Sequence, residues 1–359
     1  MNKRRKQWRN AKLLKAGTAF FLLVLIFGGI TAAKYLIKHN RRTVPDSAVS
    51  DSFVVSTGKL SEVSESTTEQ AGKMAVPFVI FPEKTDKSKE FTKDYDAKNA
   101  ILINVDDREV IAYRNEQIKL YPASLTKIMT LIVAVENIDD LSATVPITYD
   151  MVAPYIALDA SRAGFEPDET PTLKDVLYGI ILCSGADASL AAAEYVAGSE
   201  KAFVRLMNDK CREIGLKYTN FTNVVGLHDK NNYSTAENIA LMLEYAIQNP
   251  VCREVLSAVE YKVPSTKQNP EGLTFESTLF SRMYGDEMPG VKIIGGKTGF
   301  TDEAGNCMAT FAEINEKTYI LVLCGGKTNW NNVYNTLSAY SVYCTGGKAY
   351  TPPENKKQI

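Results

Sequence analysis

The sequence predicts an α+β fold, in which an antiparallel sheet is flanked by helices and carries a helical insertion subdomain. Two observations predict it. Apolar runs of strand length lie near residue 100 and after residue 305, whereas the residues between them have helical periodicity. Strands at both ends of a chain with helices between them are typical of one sheet that both ends complete. Of the 359 residues, 45% are hydrophobic, which is enough for such a core.

The individual elements follow in chain order. Residues 100–105 form a predicted strand, and residues 110–113 return as its partner after the Asp106-Asp107 turn. Helical spacing of apolar residues predicts helices over 124–135, 173–182, 186–197, 201–214 and 235–248. Strands at 306–314 and 317–324 flank a short turn, and a closing helix covers 329–343.

Charge is balanced over the whole chain but not near its N-terminus. There are 41 Lys and Arg against 42 Asp and Glu, so no overall field favours nucleic acid as a partner. Seven Lys or Arg residues precede the uncharged run from Ala16 to Ala33, and four follow it. As a helix this run spans roughly 27 Å, close to the hydrocarbon thickness of a bilayer.

These observations predict the order of segments. A basic cytoplasmic segment covers 1–15, a single transmembrane anchor 16–37, and an extracytoplasmic Ser/Thr-rich linker 38–86, because the larger positive cluster stays inside. A catalytic domain follows at 87–350, and a polar tail at 351–359. A cleaved signal segment, which would give a secreted protein, is the alternative. Either arrangement puts the domain outside the cytoplasm, with the single-pass form in the cell membrane.

Histidine and cysteine usage excludes some chemistries. The two histidines, His39 and His228, almost exclude a zinc enzyme with several His ligands, and a Ser-His-Asp triad would depend on His228 alone. All six cysteines follow the linker, and their even number permits disulfides. A core of this size favours buried free thiols instead. No metal or organic cofactor is expected.

The first chemical motif is Ser124-Leu125-Thr126-Lys127. Its serine and lysine lie three residues apart at the start of a predicted helix, and therefore on one face. A neutral lysine within hydrogen-bond reach can take the serine proton, and a helix N-terminus favours a developing oxyanion. The spacing occurs about once by chance in a chain this long, and a helix cap is the other interpretation of Ser124.

The second motif is Lys297-Thr298-Gly299, followed by Phe300. It offers a cation, a hydroxyl, and a residue without a side chain, beside which a peptide can lie edge to edge. A phosphate-binding loop is excluded because Val291 occupies the position where that pattern needs glycine. A plain turn between strands is the other alternative.

The third motif is Ser184-Gly185-Ala186, between two predicted helices. A second serine at this place could pass a proton to a leaving amine. By itself the pair of serine and glycine is better explained as a helix cap.

Together the three motifs resemble those of the serine D-alanyl-D-alanine carboxypeptidases, the low-molecular-weight penicillin-binding proteins. The resemblance covers roughly residues 95–345 and is strong over 122–130, 296–301 and 304–307. It implies a β-lactamase/DD-peptidase-like fold and removal of the terminal D-alanine from peptidoglycan stem peptides through a serine acyl-enzyme. β-Lactams would then be covalent inhibitors.

The resemblance implies three catalytic residues. Ser124 forms the acyl-enzyme, Lys127 activates it as the base, and Ser184 relays a proton to the departing D-alanine.

It also implies substrate-binding residues around the second motif. Lys297 supports the relay and helps hold Lys127 neutral, Thr298 meets the terminal carboxylate, and Gly299 lies beside the peptide. The backbone N–H groups of Phe300 and Ser124 form the oxyanion hole.

Two departures from the family pattern keep alternatives open. Ala186 stands where the family usually has Asn, and Asn232 where it often has His. A β-lactamase would share the acylation chemistry, but the class A motif E-x-x-L-N is absent. A non-catalytic, membrane-tethered sensor of cell wall or β-lactam is the third hypothesis, and Ala186 is its support.

Overall fold

The computed structural model describes residues 80–158, 160–283 and 285–353. At its centre lies a six-stranded sheet. Its strands are β1 (Glu83–Glu90), β2 (Asn99–Asn104), β3 (Glu109–Arg114), β6 (Lys292–Thr301), β7 (Gly305–Ile314) and β8 (Lys317–Gly326). Their order is β1-β3-β2-β8-β7-β6. β1 runs parallel to β3, and all other neighbouring pairs in this sheet are antiparallel.

Strands from the N-terminal and the C-terminal parts of the described domain meet in the middle of this sheet. β2 pairs with β8, with Ile101 opposite Val322. Every residue of β2 is buried, as expected for a strand covered on both faces. Asn315 and Glu316, which join β7 to β8, both have positive φ, and a two-residue hairpin of the favoured twist needs that conformation.

Helices cover the sheet and form the insertion between β3 and β6. They are α1 (Thr126–Asn137), α2 (Tyr149–Ala157), α3 (Leu173–Ile181), α4 (Ala186–Ala197), α5 (Glu200–Ile214), α6 (Ala236–Gln248), α7 (Pro250–Ser257), α8 (Phe280–Met283) and, after β8, α9 (Asn329–Ala339). A small hairpin of β4 (Glu260–Val263) and β5 (Leu273–Glu276) lies among them. A π-helical turn, Tyr340–Thr345, follows α9.

Helix α1 is the axis of the helical part. Its residues from Thr126 to Ala134 are all buried, and it packs against α3, α4, α5, α6 and α7. Four of these five neighbours begin at a side-chain cap, for example Thr172, whose hydroxyl accepts from the Asp175 N–H in a capping box. Helix α4 begins at Gly185 without one. Because α1 is enclosed on all sides, the residues at its N-terminus are held in a fixed position.

The predicted α+β class, with an antiparallel sheet and a helical insertion, is confirmed. The predicted linker extends to residue 86, whereas β1 already begins at Glu83. This strand is polar and almost entirely exposed, so no apolar alternation marks it. Backbone hydrogen bonds hold it, such as Glu83 N–H to Arg108 O at 3.0 Å.

Other predictions concern residues outside the described ranges. The predicted anchor at 16–37 lies there, as does most of the predicted tail. Within the described ranges, no helix has the length and apolar character to cross a membrane. All six cysteines are described, and all are free. Four of them are buried, whereas Cys183 and Cys344 are partly exposed.

Candidate active site

Ser124 lies in a 3₁₀ turn, Ala123–Leu125, that leads directly into α1. Ala123 has φ +48°, a left-handed conformation that is costly for a residue with a side chain. The Leu125 N–H donates to Pro122 O at 3.1 Å and closes the turn. The predicted helix start is therefore nearly right, but the serine sits on a strained turn just before the α-helix.

Lys127 lies one turn further on, beneath Ser124. Its Nζ is 3.4 Å from Ser124 Oγ and donates to Val225 O at 2.7 Å. The residue is 3% exposed. This burial lowers the pKa of Lys127 to about 7, although the charge of Asp187 works in the opposite direction. A substantial fraction of the side chain is therefore neutral near pH 7 and able to accept a proton from Ser124.

A loop at residues 223–227 presses against the nucleophile turn. Asn223 Oδ1 accepts from the Gly226 N–H at 2.6 Å, and Asn223 Nδ2 donates to Leu227 O at 3.0 Å. Gly226 has φ +83°, and a Cβ atom there would lie 1.9 Å from Ala123 O. Only glycine permits this approach. The loop thereby places the Val225 carbonyl against Lys127, a role that no motif in the sequence predicts.

Ser184 comes from the loop before α4. Its φ is +56°, and its buried Oγ has no hydrogen-bond partner among the described residues. Gly185 allows the loop to approach α3 closely, since a Cβ there would lie 2.9 Å from Gly179 O. An unpaired buried hydroxyl at a cavity wall is energetically unfavourable and needs a functional explanation.

Asp187 positions this serine loop. Its carboxylate accepts from the backbone N–H groups of Ala163, Gly164 and Phe165 at 2.8–3.1 Å. The carboxylate is fully buried, so these three bonds replace its lost hydration. Ala186, just before it, donates its N–H to Ser161 O at 2.8 Å. Ala186 forms part of the cavity wall, at the position where the resemblance implies that asparagine is usual.

The Lys297-Thr298-Gly299 motif lies on β6, at the edge of the sheet that faces Ser124. Lys297 is 1% exposed, and its Nζ donates to Thr298 O at 2.9 Å. Burial, followed by the charges of Lys127 and Arg282, holds the pKa of Lys297 well below its usual value. A Cβ atom on Gly299 would lie 2.9 Å from Ser124 N, so the strand backbone passes close to the nucleophile.

The predicted site residues surround one cavity of about 340 Å³. Six of the seven line it: Ser124, Lys127, Ser184, Thr298, Gly299 and Phe300. Lys297 is buried next to them. Phe300 is 56% exposed although it lines the cavity. His228 is not among the lining residues and instead contacts the Tyr121 ring at 4.7 Å.

Further lining residues were not predicted. Thr278 Oγ1 lies 2.9 Å from Thr298 Oγ1, and Arg282 lies on α8 nearby. Leu158, directly after α2, lines the cavity on another side. None of the three belongs to a motif that sequence inspection could find. Within the described parts of the chain, no cluster of His, Cys, Asp or Glu could hold a metal ion.

The fold and this geometry define the class of site: a serine hydroxyl at a cavity wall with a buried lysine 3.4 Å away, an arrangement suited to acyl transfer. A sequence model of the D-alanyl-D-alanine carboxypeptidase family matches residues 84–328, and the chain belongs to this family. The resemblance inferred from the motifs is therefore confirmed.

Curated relatives and solved structures agree with this assignment. The chain is 33% identical to D-alanyl-D-alanine carboxypeptidase DacF of Bacillus subtilis over 65% of its length, and 32% identical to DacC of Escherichia coli over 65%. It spans 58% of the length of either relative. A solved mutant of the Streptomyces K15 DD-transpeptidase is 26% identical, with a TM-score of 0.62 over 67% of this chain and 95% of that one. The DD-peptidase-like fold is thus confirmed.

Proposed function

We propose that this protein is a D-alanyl-D-alanine carboxypeptidase that removes the terminal D-alanine from peptidoglycan stem peptides. The observation that carries the proposal is the pair of Ser124 and Lys127. A fully buried lysine with a pKa of about 7 lies 3.4 Å from a serine hydroxyl on a strained turn at a cavity wall. Such a lysine is a competent general base at neutral pH.

Acylation follows from these positions. Neutral Lys127 accepts the proton of Ser124 as its Oγ attacks the carbonyl carbon of the penultimate D-alanine. The negative charge that develops on the carbonyl oxygen is stabilised by the backbone N–H groups of Ser124 and Phe300, as in other oxyanion holes. The close passage of Gly299 brings these two backbone segments together.

Breakdown of the tetrahedral intermediate needs a proton for the leaving amine. The unpaired hydroxyl of Ser184 donates that proton, and the proton on protonated Lys127 replaces it. The C–N bond breaks, D-alanine leaves, and an ester to Ser124 remains. Water then attacks this ester with Lys127 again as base, which frees the shortened peptide and restores the serine.

β-Lactams would acylate Ser124 in the same way and would be released slowly. Fast release in class A β-lactamases uses a glutamate that activates water. The class A motif E-x-x-L-N is absent from this sequence. The sequence therefore favours the carboxypeptidase over the β-lactamase.

Localisation is part of the proposal. The uncharged run from Ala16 to Ala33, with its larger positive cluster on the N-terminal side, supports a single-pass anchor with the catalytic domain outside the cytoplasm. Peptidoglycan stem peptides are exposed on that side of the membrane.

The proposal is tested with purified full-length protein and a peptide that ends in D-Ala-D-Ala. We expect release of D-alanine that disappears in Ser124→Ala, and slow loss of bound penicillin. Labelling of Ser124 by penicillin without D-alanine release would indicate a sensor. Rapid hydrolysis of penicillin would indicate a β-lactamase.

A further inference from the structure

Leu158 is a cavity residue to which neither the motifs nor the mechanism gives a role. It follows α2 directly and lines the same cavity as Ser124, yet its side chain is 61% exposed. Phe300, which also lines the cavity, is 56% exposed. Large apolar side chains that stay open to solvent at the mouth of a cavity are typical of a binding surface.

The backbone holds Leu158 in place. Its N–H donates to Pro154 O at 3.2 Å, and the Ala160 N–H donates to Tyr155 O at 2.9 Å, so the chain is bound to α2 on both sides of the turn. α2 itself packs against α4, the helix that follows Ser184. The exposed leucine is therefore presented on a fixed part of the cavity wall.

A third apolar side chain completes this part of the cavity. Leu227 also lines it and is half-buried against the core. The loop that carries it is fixed by Asn223, whose Nδ2 donates to Leu227 O at 3.0 Å. Leu158, Leu227 and Phe300 come from three separate elements, and we call them the apolar rim.

The direction in which a bound peptide runs determines which of its residues contacts the apolar rim. In the proposed mechanism the terminal carboxylate lies beside Thr298, and the scissile carbonyl beside Ser124 and the Phe300 N–H. A peptide along β6 must then continue from Gly299 past Phe300 towards Thr301, which also lines the cavity. The residue that precedes D-Ala-D-Ala is thus the one nearest the rim.

We propose that the apolar rim binds the aliphatic side chain of the residue that precedes D-Ala-D-Ala, with Leu158 as the specificity-determining contact. The inference rests on the proposed function, because it names the substrate class of the same site. A chain of three or four methylene groups fits such a rim, since each methylene is removed from water there. A polar group at its far end can remain in the solvent.

The test measures binding without requiring turnover. Two peptides, acetyl-L-norleucyl-D-Ala-D-Ala and acetyl-glycyl-D-Ala-D-Ala, compete with a fluorescent penicillin for Ser124 of the full-length protein. In wild type, the norleucine peptide should protect Ser124 from penicillin at a concentration about ten- to a hundredfold lower than the glycine peptide, because it buries a few more methylene groups. D-Alanine release from both peptides is followed in parallel.

Matched variants assign the preference to Leu158. Leu158→Ser should reduce the preference for the norleucine peptide about three- to tenfold, because it weakens the binding of that peptide alone. Leu158→Met should keep most of the preference. Ile156→Ser is the control, because Ile156, in the last turn of α2, is 54% exposed but is not among the residues that line the cavity. It should leave both peptides unchanged.

Three results would overturn the proposal. One is that the two peptides protect wild-type Ser124 from penicillin equally well. Another is an equal loss for both peptides in Leu158→Ser, which would mean that Leu158 only supports the fold of the site. The third is a preference that Leu158→Ser leaves intact. A protein that binds the norleucine peptide selectively but releases no D-alanine would refute the proposed function and support the role of the rim.

Discussion

Replacing Lys127 by methionine should inactivate the protein and also make it more stable. In an unfolded chain a lysine has a pKa of 10.5, whereas burial lowers that of Lys127 to about 7. Between these values the unfolded state binds more protons than the folded state, so the wild-type free energy of unfolding rises with pH over this interval. Below about pH 7 the folded state bears the full free-energy penalty of burying the charged Lys127 side chain.

The structure allows this penalty to be sized. A pKa lower by about 3.5 corresponds to about 5 kcal/mol of lost stability near or below pH 7. Methionine has a similar volume and no charge, and would remove that penalty. It would also leave Val225 O without its 2.7 Å donor, which costs about 1–3 kcal/mol. Lys127→Met should therefore be more stable than wild type by about 2–4 kcal/mol at pH 7.

Urea unfolding of both proteins at several pH values measures this difference. The gain should shrink as the pH rises from 7 towards 10.5, because the wild-type penalty disappears over that interval. Lys217→Met, at an exposed position, is the matched control and should change the stability by no more than about 0.5 kcal/mol. A Lys127→Met protein that is no more stable than wild type at pH 7, or whose gain in stability does not depend on pH, would refute the claim that burial lowers the pKa of Lys127.

Three further predictions concern the same site. The rate of acylation by penicillin should rise with pH and level off above about 7, as Lys127 loses its proton; a flat profile from pH 5 to 9 would contradict its role as base. Ala186→Asn should accelerate acylation about two- to tenfold, because it adds one hydrogen bond to the substrate. Stopped-flow measurement tests this, and an unchanged rate would show that the lack of an amide at this position does not limit acylation. Gly226→Ala should destabilise the domain by about 3 kcal/mol, since its Cβ would lie 1.9 Å from Ala123 O. A variant that unfolds at the same urea concentration as wild type would contradict this close contact.

Elements with apolar patterning could be predicted from the sequence. β2, β3, α1 and the β7–β8 hairpin all bury side chains at their characteristic spacing, and the prediction found each within a few residues. β1 was missed because backbone bonds and pairing with β3, rather than buried side chains, hold it in place. The helix α2 was missed as well, since Val152 is its sole buried residue.

The candidate site was predictable where residue type and spacing carry the chemistry. Ser124, Lys127 and Lys297 stand in motifs, and the structure places the first two in the lining of one cavity and buries Lys297 beside them. The left-handed turn at Ala123 and the carbonyl of Val225 depend on tertiary contacts that no local pattern encodes. Leu158 could not be recognised either, because an exposed leucine is unremarkable in a sequence and gains its meaning only beside the folded cavity.

The central claim is that Ser124, activated by neutral Lys127, forms an ester with the penultimate D-alanine. Rapid quenching of the full-length protein with a D-Ala-D-Ala peptide, followed by mass spectrometry of the peptide that contains Ser124, tests it most directly. We expect an adduct whose mass is that of the substrate less D-alanine, present in wild type and absent in Ser124→Ala and Lys127→Met. Release of D-alanine by Ser124→Ala at the wild-type rate, with no adduct on either protein, would contradict the claim.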